Sequence, residues 1–338
     1  MDVSQGGQAR LRYMSHSAGR EVEDSRRGRG PEASISTPGL YLAEHEQALT
    51  GGNSTNVVRR GDTVRRTAGP WTPTVQALLA HLRAQGVTEV PEPLGLDERG
   101  REVLSFVPGE AAHYPLPDRL WDESLLRGAG ALLRRVHDAS VGFLVDAGVT
   151  RTATAAARRH ADGTVEALDG PAGDTRPEYV VPVPVPDPGG RVWQSPAHEP
   201  VEVVCHNDVA PYNLVFRAGT LVGLIDFDTA SPGPRIRDLA YLGYRLAPFV
   251  ADAAGEDGSG VVGRLDPLAR LDVLVEAYGL PFSRREVLTA MVVRLEEIAD
   301  FTDGRAEETG RSDFLDHAAM YRADARRVAA LAEDAPPA

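Results

Sequence analysis

VCHNDVAPYNLVF, residues 204–216, places His206, Asp208 and Asn213 in the short gap between two apolar runs. The run ending at Cys205 reads as a strand and the run from Leu214 as the next one, so the polar residues form the loop between them. Phosphoryl transfer asks for such a set. It needs a carboxylate to receive or orient the proton of an acceptor hydroxyl, and oxygen ligands for metal ions that neutralise charge between phosphates.

The spacing His206-x-Asp208-x-x-x-x-Asn213 is that of a kinase catalytic loop. The adjoining stretch strengthens it, because NLVFRAGTLVGLID alternates into Gly219-Thr220 and out again as a hairpin. With those two residues as the turn, Asn213 and Asp226 are directly opposed, their Cβ atoms about 5 Å apart, and can share one Mg²⁺. Asp228 faces the same way if the strand continues, and a bulge would shift this register. His206, two residues before the carboxylate, is expected to brace the loop by hydrogen bonds rather than to touch substrate. The plain alternative is that these are turn residues closing a strand and a solvated strand end.

The rest of the chain sets the context. Lys and Arg number 36 against 49 Asp and Glu, and the net charge of -13 argues against a general nucleic-acid or anionic-membrane binder. It suits a cationic substrate, or solubility alone. The only cysteine, Cys205, excludes an intramolecular disulfide and a Cys-based zinc cluster, and fits a reducing cytoplasm. No apolar run reaches the length of a membrane span, and the N-terminus lacks an apolar signal core. A soluble cytoplasmic protein is expected, with no nucleic acid, membrane or protein partner indicated.

Residues 1 to about 35 are polar, Gly-rich and mixed in charge, so they are expected to form a disordered leader, with Met14 an alternative start. Residues 36–107 are expected to form a small β-rich lobe that binds nucleotide. There NVVRR and TVRR flank a Gly61-Asp62 turn, and WTPTVQALLAHLRAQG reads as one helix with Thr72 as N-cap, Pro73 first inside and Gly86 as stop. Pro108-Gly109 marks the joint. Residues 108–332 then turn mostly helical, interrupted at 151–195 by an Ala-rich and then Pro/Gly-rich insertion or lid.

Taken together, VCHNDVAPYNLVF and LIDFDTASPGPRIRDLAY resemble the aminoglycoside phosphotransferase family, relatives of choline kinases and of the protein-kinase fold. The resemblance covers roughly residues 40–330 and is specific mainly over 204–241. It implies an α+β, bilobal kinase-like fold, with Asp208 as catalytic base, Asn213 and Asp226 as Mg²⁺ ligands, and Asp238 as a brace at a helix start. A simple helix cap is the alternative for Asp238. TGGNSTN resembles a phosphate-covering turn, with Gly51 and Gly52 for close backbone approach and Ser54 and Thr55 as donors. The family's nucleotide-gripping lysine is missing, and Arg66, on the same face as Val64, is the substitute cation. The following helix offers Gln76, His81 and Arg83 but no glutamate to pair with it. By the same resemblance the backbone of Ser105 to Val107 pairs with the purine edge.

These residues point to a Mg²⁺-dependent O-kinase moving the γ-phosphate of ATP or GTP to a small, cationic acceptor such as an aminoglycoside, with antibiotic resistance as an outcome. Glu296, Glu297, Asp300 and Asp303 on a C-terminal helix are candidate receivers for its ammonium groups, or a solvated face. The rival is a non-catalytic nucleotide or ligand binder of the same fold. A protein kinase is disfavoured by the short path from Asp226 to the next helix.

Overall fold

Short strands around a glycine-led turn make the first sheet. Strands β1 (Gln47–Ala48), β2 (Val58–Arg60), β3 (Thr63–Arg66), β4 (Pro93–Leu96) and β5 (Glu102–Ser105) form an antiparallel sheet in the order β1-β2-β3-β5-β4. Arg60 pairs with Thr63 across Gly61-Asp62, and Gly61 takes φ 59°, a conformation a side chain would resist. Helix α1 (Thr72–Ala84) buries Val75, Leu78, Leu79 and Leu82, the stripe its periodicity requires, and Gly86 at φ 87° ends it. Its start differs by one residue from the expected one. Trp71 is the N-cap, and the Thr72 hydroxyl accepts from the Gly69 amide upstream instead of capping its own helix.

This computed structural model describes residues 46–49, 57–146, 190–250, 253 and 261–336, all within the unit Glu44–Ala338. The expected leader, the phosphate-covering turn with Gly51, Gly52, Ser54 and Thr55, and all but residues 190–195 of the expected insertion lie outside them. Among the described residues no helix is long and apolar enough to cross a membrane.

Beyond the joint the architecture is helical, completing an α+β fold. Helix α2 (Glu123–Asp146) carries glycines in its sequence, and one has a packing reason: a Cβ on Gly130 would sit 3.0 Å from the Leu274 carbonyl oxygen. That close approach is to α4 (Pro267–Tyr278), which starts at an Asp266 cap and stops at Gly279, φ 78°. Helix α3 (Arg235–Leu246) is almost wholly buried between them and α5 (Arg284–Thr309). A reciprocal cap between Ser283 and Glu286 opens α5, and α6 (Asp313–Asp334) packs along it.

Between α2 and α3 lie the strands that carry the motif. Strand β6 (Val203–Cys205) pairs antiparallel with β9 (Ser231–Gly233), and β7 (Leu214–Arg217) with β8 (Thr220–Leu224). The β7–β8 turn is Ala218-Gly219, at φ 50° and 79°, and not Gly219-Thr220. Two positive φ values match the twist of paired strands, which moves the turn back by one residue. An irregularity after Val215, leaving Val222 without an opposite number, moves the register again. Leu214 therefore faces Leu224, and Asn213 lies opposite Ile225, whose N–H donates to the Asn213 carbonyl at 2.9 Å. Asp226 is thus not the direct partner of Asn213. It sits one residue beyond, in the left-handed conformation (φ 66°, ψ 66°), and Asp228 lies on a 3-10 turn, Phe227–Thr229, rather than on a continuing strand.

Candidate active site

The loop leaving β6 is fastened from behind. Asp238, in the first turn of α3 and fully buried, accepts the backbone N–H of His206 at 2.6 Å and of Asn207 at 2.8 Å. It also accepts from His137 Nε2 at 3.0 Å, while His137 Nδ1 meets the Tyr278 hydroxyl at 2.7 Å. Burial pushes the Asp238 carboxyl up, but these hydrogen bonds and the neighbouring imidazoles hold it below the usual range. The first amide of α3, that of Arg235, donates to Glu202 Oε2 at 2.9 Å, so the Asp238 carboxylate serves the loop and not its own helix.

His206 completes the fastening. Its Nδ1 accepts from the Asp208 amide at 3.2 Å, and its Nε2–H donates to the Ile225 carbonyl at 2.9 Å, one residue before Asp226. Both ring nitrogens are used on backbone, and the ring is buried against Phe227. Asn207, at φ 65°, donates to Thr229 O and Ser231 Oγ, both at 2.8 Å, and accepts from Arg237 Nε at 2.8 Å. Its carbonyl accepts from Arg294 Nη2 at 2.6 Å.

Asp208 projects from this scaffold. One carboxylate oxygen accepts from the Tyr212 hydroxyl at 2.6 Å and the other from Asn213 Nδ2 at 2.9 Å. Burial raises its pKa, with the Tyr212 hydrogen bond pulling the other way, which makes it a better proton acceptor than a solvated aspartate.

Opposite stands Arg66 at the end of β3, 6% exposed. Its Nε donates to Glu102 Oε2 at 2.5 Å, its Nη1 to Asp226 Oδ1 at 2.8 Å and its Nη2 to Asp228 Oδ1 at 2.6 Å. The acid missing from α1 is therefore Glu102, directly across the ladder on β5 and fully buried, with Gln76 Nε2 at 3.3 Å from its second oxygen. Burial pushes the Asp228 carboxyl up to about 6 against the attraction of Arg66. The donor set suits Mg²⁺: Asp226 and Asp228 offer carboxylate oxygens, and Asn213 turns its amide nitrogen to Asp208, which leaves its oxygen as the free donor. Arg66 balances the two acids in this structure.

The remaining candidates fall in different places. The amide of Ser105 is taken by the Glu92 carbonyl at 2.9 Å and that of Phe106 by Asp62 at 2.8 Å, so Ser105 has no free N–H for a purine. Among the described residues Val107, next along, makes no such backbone bond. Glu297 pairs with Arg237 at 2.6 Å, bracing the arginines that hold Asn207. Asp300 and Asp303 both pair with Arg322 of α6, at 2.8 and 2.7 Å. Sequence reading missed Glu102, Tyr212, Tyr241 and Arg245. Glu102 had a signal, an acid in an apolar strand, and Tyr212 lies four residues after Asp208 within the motif itself; Tyr241 and Arg245 come from α3, outside the motif.

Residues 46–268, more than half of the chain, match the phosphotransferase enzyme family. The trifolitoxin immunity protein of Rhizobium leguminosarum bv. trifolii is 34% identical over 247 residues, 71% of this chain and 76% of the relative. Among solved structures, a choline/ethanolamine kinase family protein from Mesorhizobium loti superposes with a TM-score of 0.50 at 17% identity, covering 86% of this chain and 89% of the other. A protein assigned to the aminoglycoside phosphotransferases from Ralstonia eutropha gives 0.50 at 15% identity, covering 87% and 93%. At such identities the structures speak for the fold, which is kinase-like, while the sequence match speaks for descent: the chain belongs to the phosphotransferase enzyme family.

Proposed function

We propose that the protein transfers the γ-phosphoryl group of ATP or GTP to a hydroxyl of a small, diffusible acceptor. The observation that carries this is the meeting of a braced carboxylate, Asp208, with the oxygen donors Asn213, Asp226 and Asp228 and the buried guanidinium of Arg66. Asp208 takes the acceptor's hydroxyl proton as the acceptor oxygen bonds to the γ-phosphorus and the bond to the bridging oxygen breaks, leaving ADP or GDP. Asn213 and Asp226, with Asp228 beside them, would hold Mg²⁺, which would supply charge neutralisation for the phosphates. Arg66, oriented by Glu102, is the cation for a phosphate oxygen, the role that the absent lysine leaves open.

Nucleotide is assigned to residues 36–107 with the joint at Val107, and the acceptor to the face of 108–332 beside Asp208. The Arg66–Glu102 pair answers the main motive for a non-catalytic binder, and a general base has no use in one. Similarity to a protein named for immunity supports a protective reaction, the modification of an antibacterial compound. A cationic antibiotic was the acceptor favoured by sequence, yet Glu297, Asp300 and Asp303 are engaged by arginines.

Transfer of labelled γ-phosphate from ATP and GTP, to a pooled set of hydroxyl compounds and to water, tests the reading. Asp208→Asn should lower transfer at least about 1,000-fold and leave Mg-nucleotide affinity within about two-fold. Undiminished transfer, or equal loss of nucleotide affinity, contradicts the assigned role.

A further inference from the structure

Arg245 sits 7% exposed at the end of α3, inside a box of tyrosines. The ring centroids of Tyr114, Tyr212, Tyr241, Tyr244 and Tyr321 lie 5.2–5.9 Å from its guanidinium carbon. Its Nε and Nη2 donate to the Tyr241 hydroxyl at 3.2 and 2.9 Å, and Nη2 also to Tyr321 at 3.0 Å. The Tyr241 hydroxyl is 3.3 Å from that of Tyr212, which donates to Asp208. Two phenols therefore separate this cation from the proposed base.

The charge has no counterion among the described residues. Among the described residues no carboxylate comes within ion-pair distance of Arg245, and its Nη1 has no hydrogen-bond partner. The nearby acids are committed: Asp208 to Tyr212 and Asn213, Asp324 to Tyr244 and Arg327. Phenol hydroxyls and ring faces soften the cost of a buried cation but do not neutralise it. A second guanidinium, Arg294, lies 5.4 Å from the Tyr241 ring, its Nε buried without a partner. An aromatic box fit for an ammonium group is thus already filled by the chain's own cation.

Resting on the assignment of Asp208 as the base, we propose that Arg245 anchors a small oxyanion of the acceptor, a carboxylate or phosphate ester, and so selects hydroxyl acceptors that are anionic rather than cationic. Nη1 supplies the free donor, and the tyrosines aim it.

Calorimetric titration of the full chain saturated with Mg-ADP tests this, using D-glycerate, gluconate and glycerol 3-phosphate against ethanolamine, choline and kanamycin. Binding is expected from the anionic set, weakened at least about 30-fold by Arg245→Gln and less by Arg245→Lys, with Mg-ADP affinity unchanged. Should Arg245→Gln not fold, Tyr321→Phe should still weaken the anion about three-fold or more. Binding confined to the cationic set, binding by neither set while Mg-ADP binds, or anion affinity indifferent to these variants overturns the proposal. Failure of Mg-ADP itself to bind overturns the nucleotide site on which it rests.

Discussion

The two sides of the candidate site, Asp208 and Arg66, are held by different physics. On the Asp208 side, one buried carboxylate, Asp238, gathers two backbone amides and an imidazole, so the loop is fixed mainly by hydrogen bonds to backbone. On the Arg66 side, one guanidinium gathers three carboxylates from β5 and the segment after β8. Hydrogen-bonded backbone holds a fixed geometry, whereas ion pairs can exchange one partner for another of the same charge. The first arrangement suits a base that must not move, and the second a site where phosphates and a metal enter and leave.

The largest expected effect tests the fixed side. Asp238→Ala leaves three buried donors without an acceptor and should lower unfolding stability by about 3–5 kcal/mol, read from urea midpoints. A loss below about 1 kcal/mol would place the loop's support elsewhere. On the exchangeable side, Arg66→Met strands the fully buried Glu102 and should cost about 2–4 kcal/mol, most of it recovered in Arg66→Met with Glu102→Met. Nucleotide affinity should stay low in the double variant. If it recovered with stability, Arg66 would be structural only.

A smaller effect concerns proton balance. Protonated Asp208 cannot take a proton, so kcat/KM should fall as pH drops through its raised pKa. Tyr212→Phe removes a hydrogen bond that lowers that pKa, so the acid limb should move to higher pH. A limb that stays or moves down would detach Tyr212 from the base. Smallest is Ala218→Gly, which relieves a positive φ in the β7–β8 turn and should add about 0.5 kcal/mol.

The same contrast explains what could be read from the sequence. His206, Asp208 and Asn213 lie within eight residues, and α1 and the Gly61-Asp62 turn are written in local periodicity. The β7–β8 register was not legible, because an alanine takes the left-handed position that glycine-threonine was expected to supply, and Val222 bulges out. Glu102 becomes the partner of Arg66 only through the pairing of strands 36 residues apart. The Arg245 box needs residues from four separated segments, and the acids of α5 find Arg322 on α6, contacts no local pattern announces.

The exchangeable side should act as a Mg-nucleotide site. The most direct measurement is the thermal melt of the purified chain with ATP and with GTP, each with and without Mg²⁺, beside Asp226→Asn. An upward shift that requires Mg²⁺ and disappears in Asp226→Asn is the predicted result. Folded protein that shifts with neither nucleotide at millimolar concentration, or shifts equally in the mutant, would contradict it.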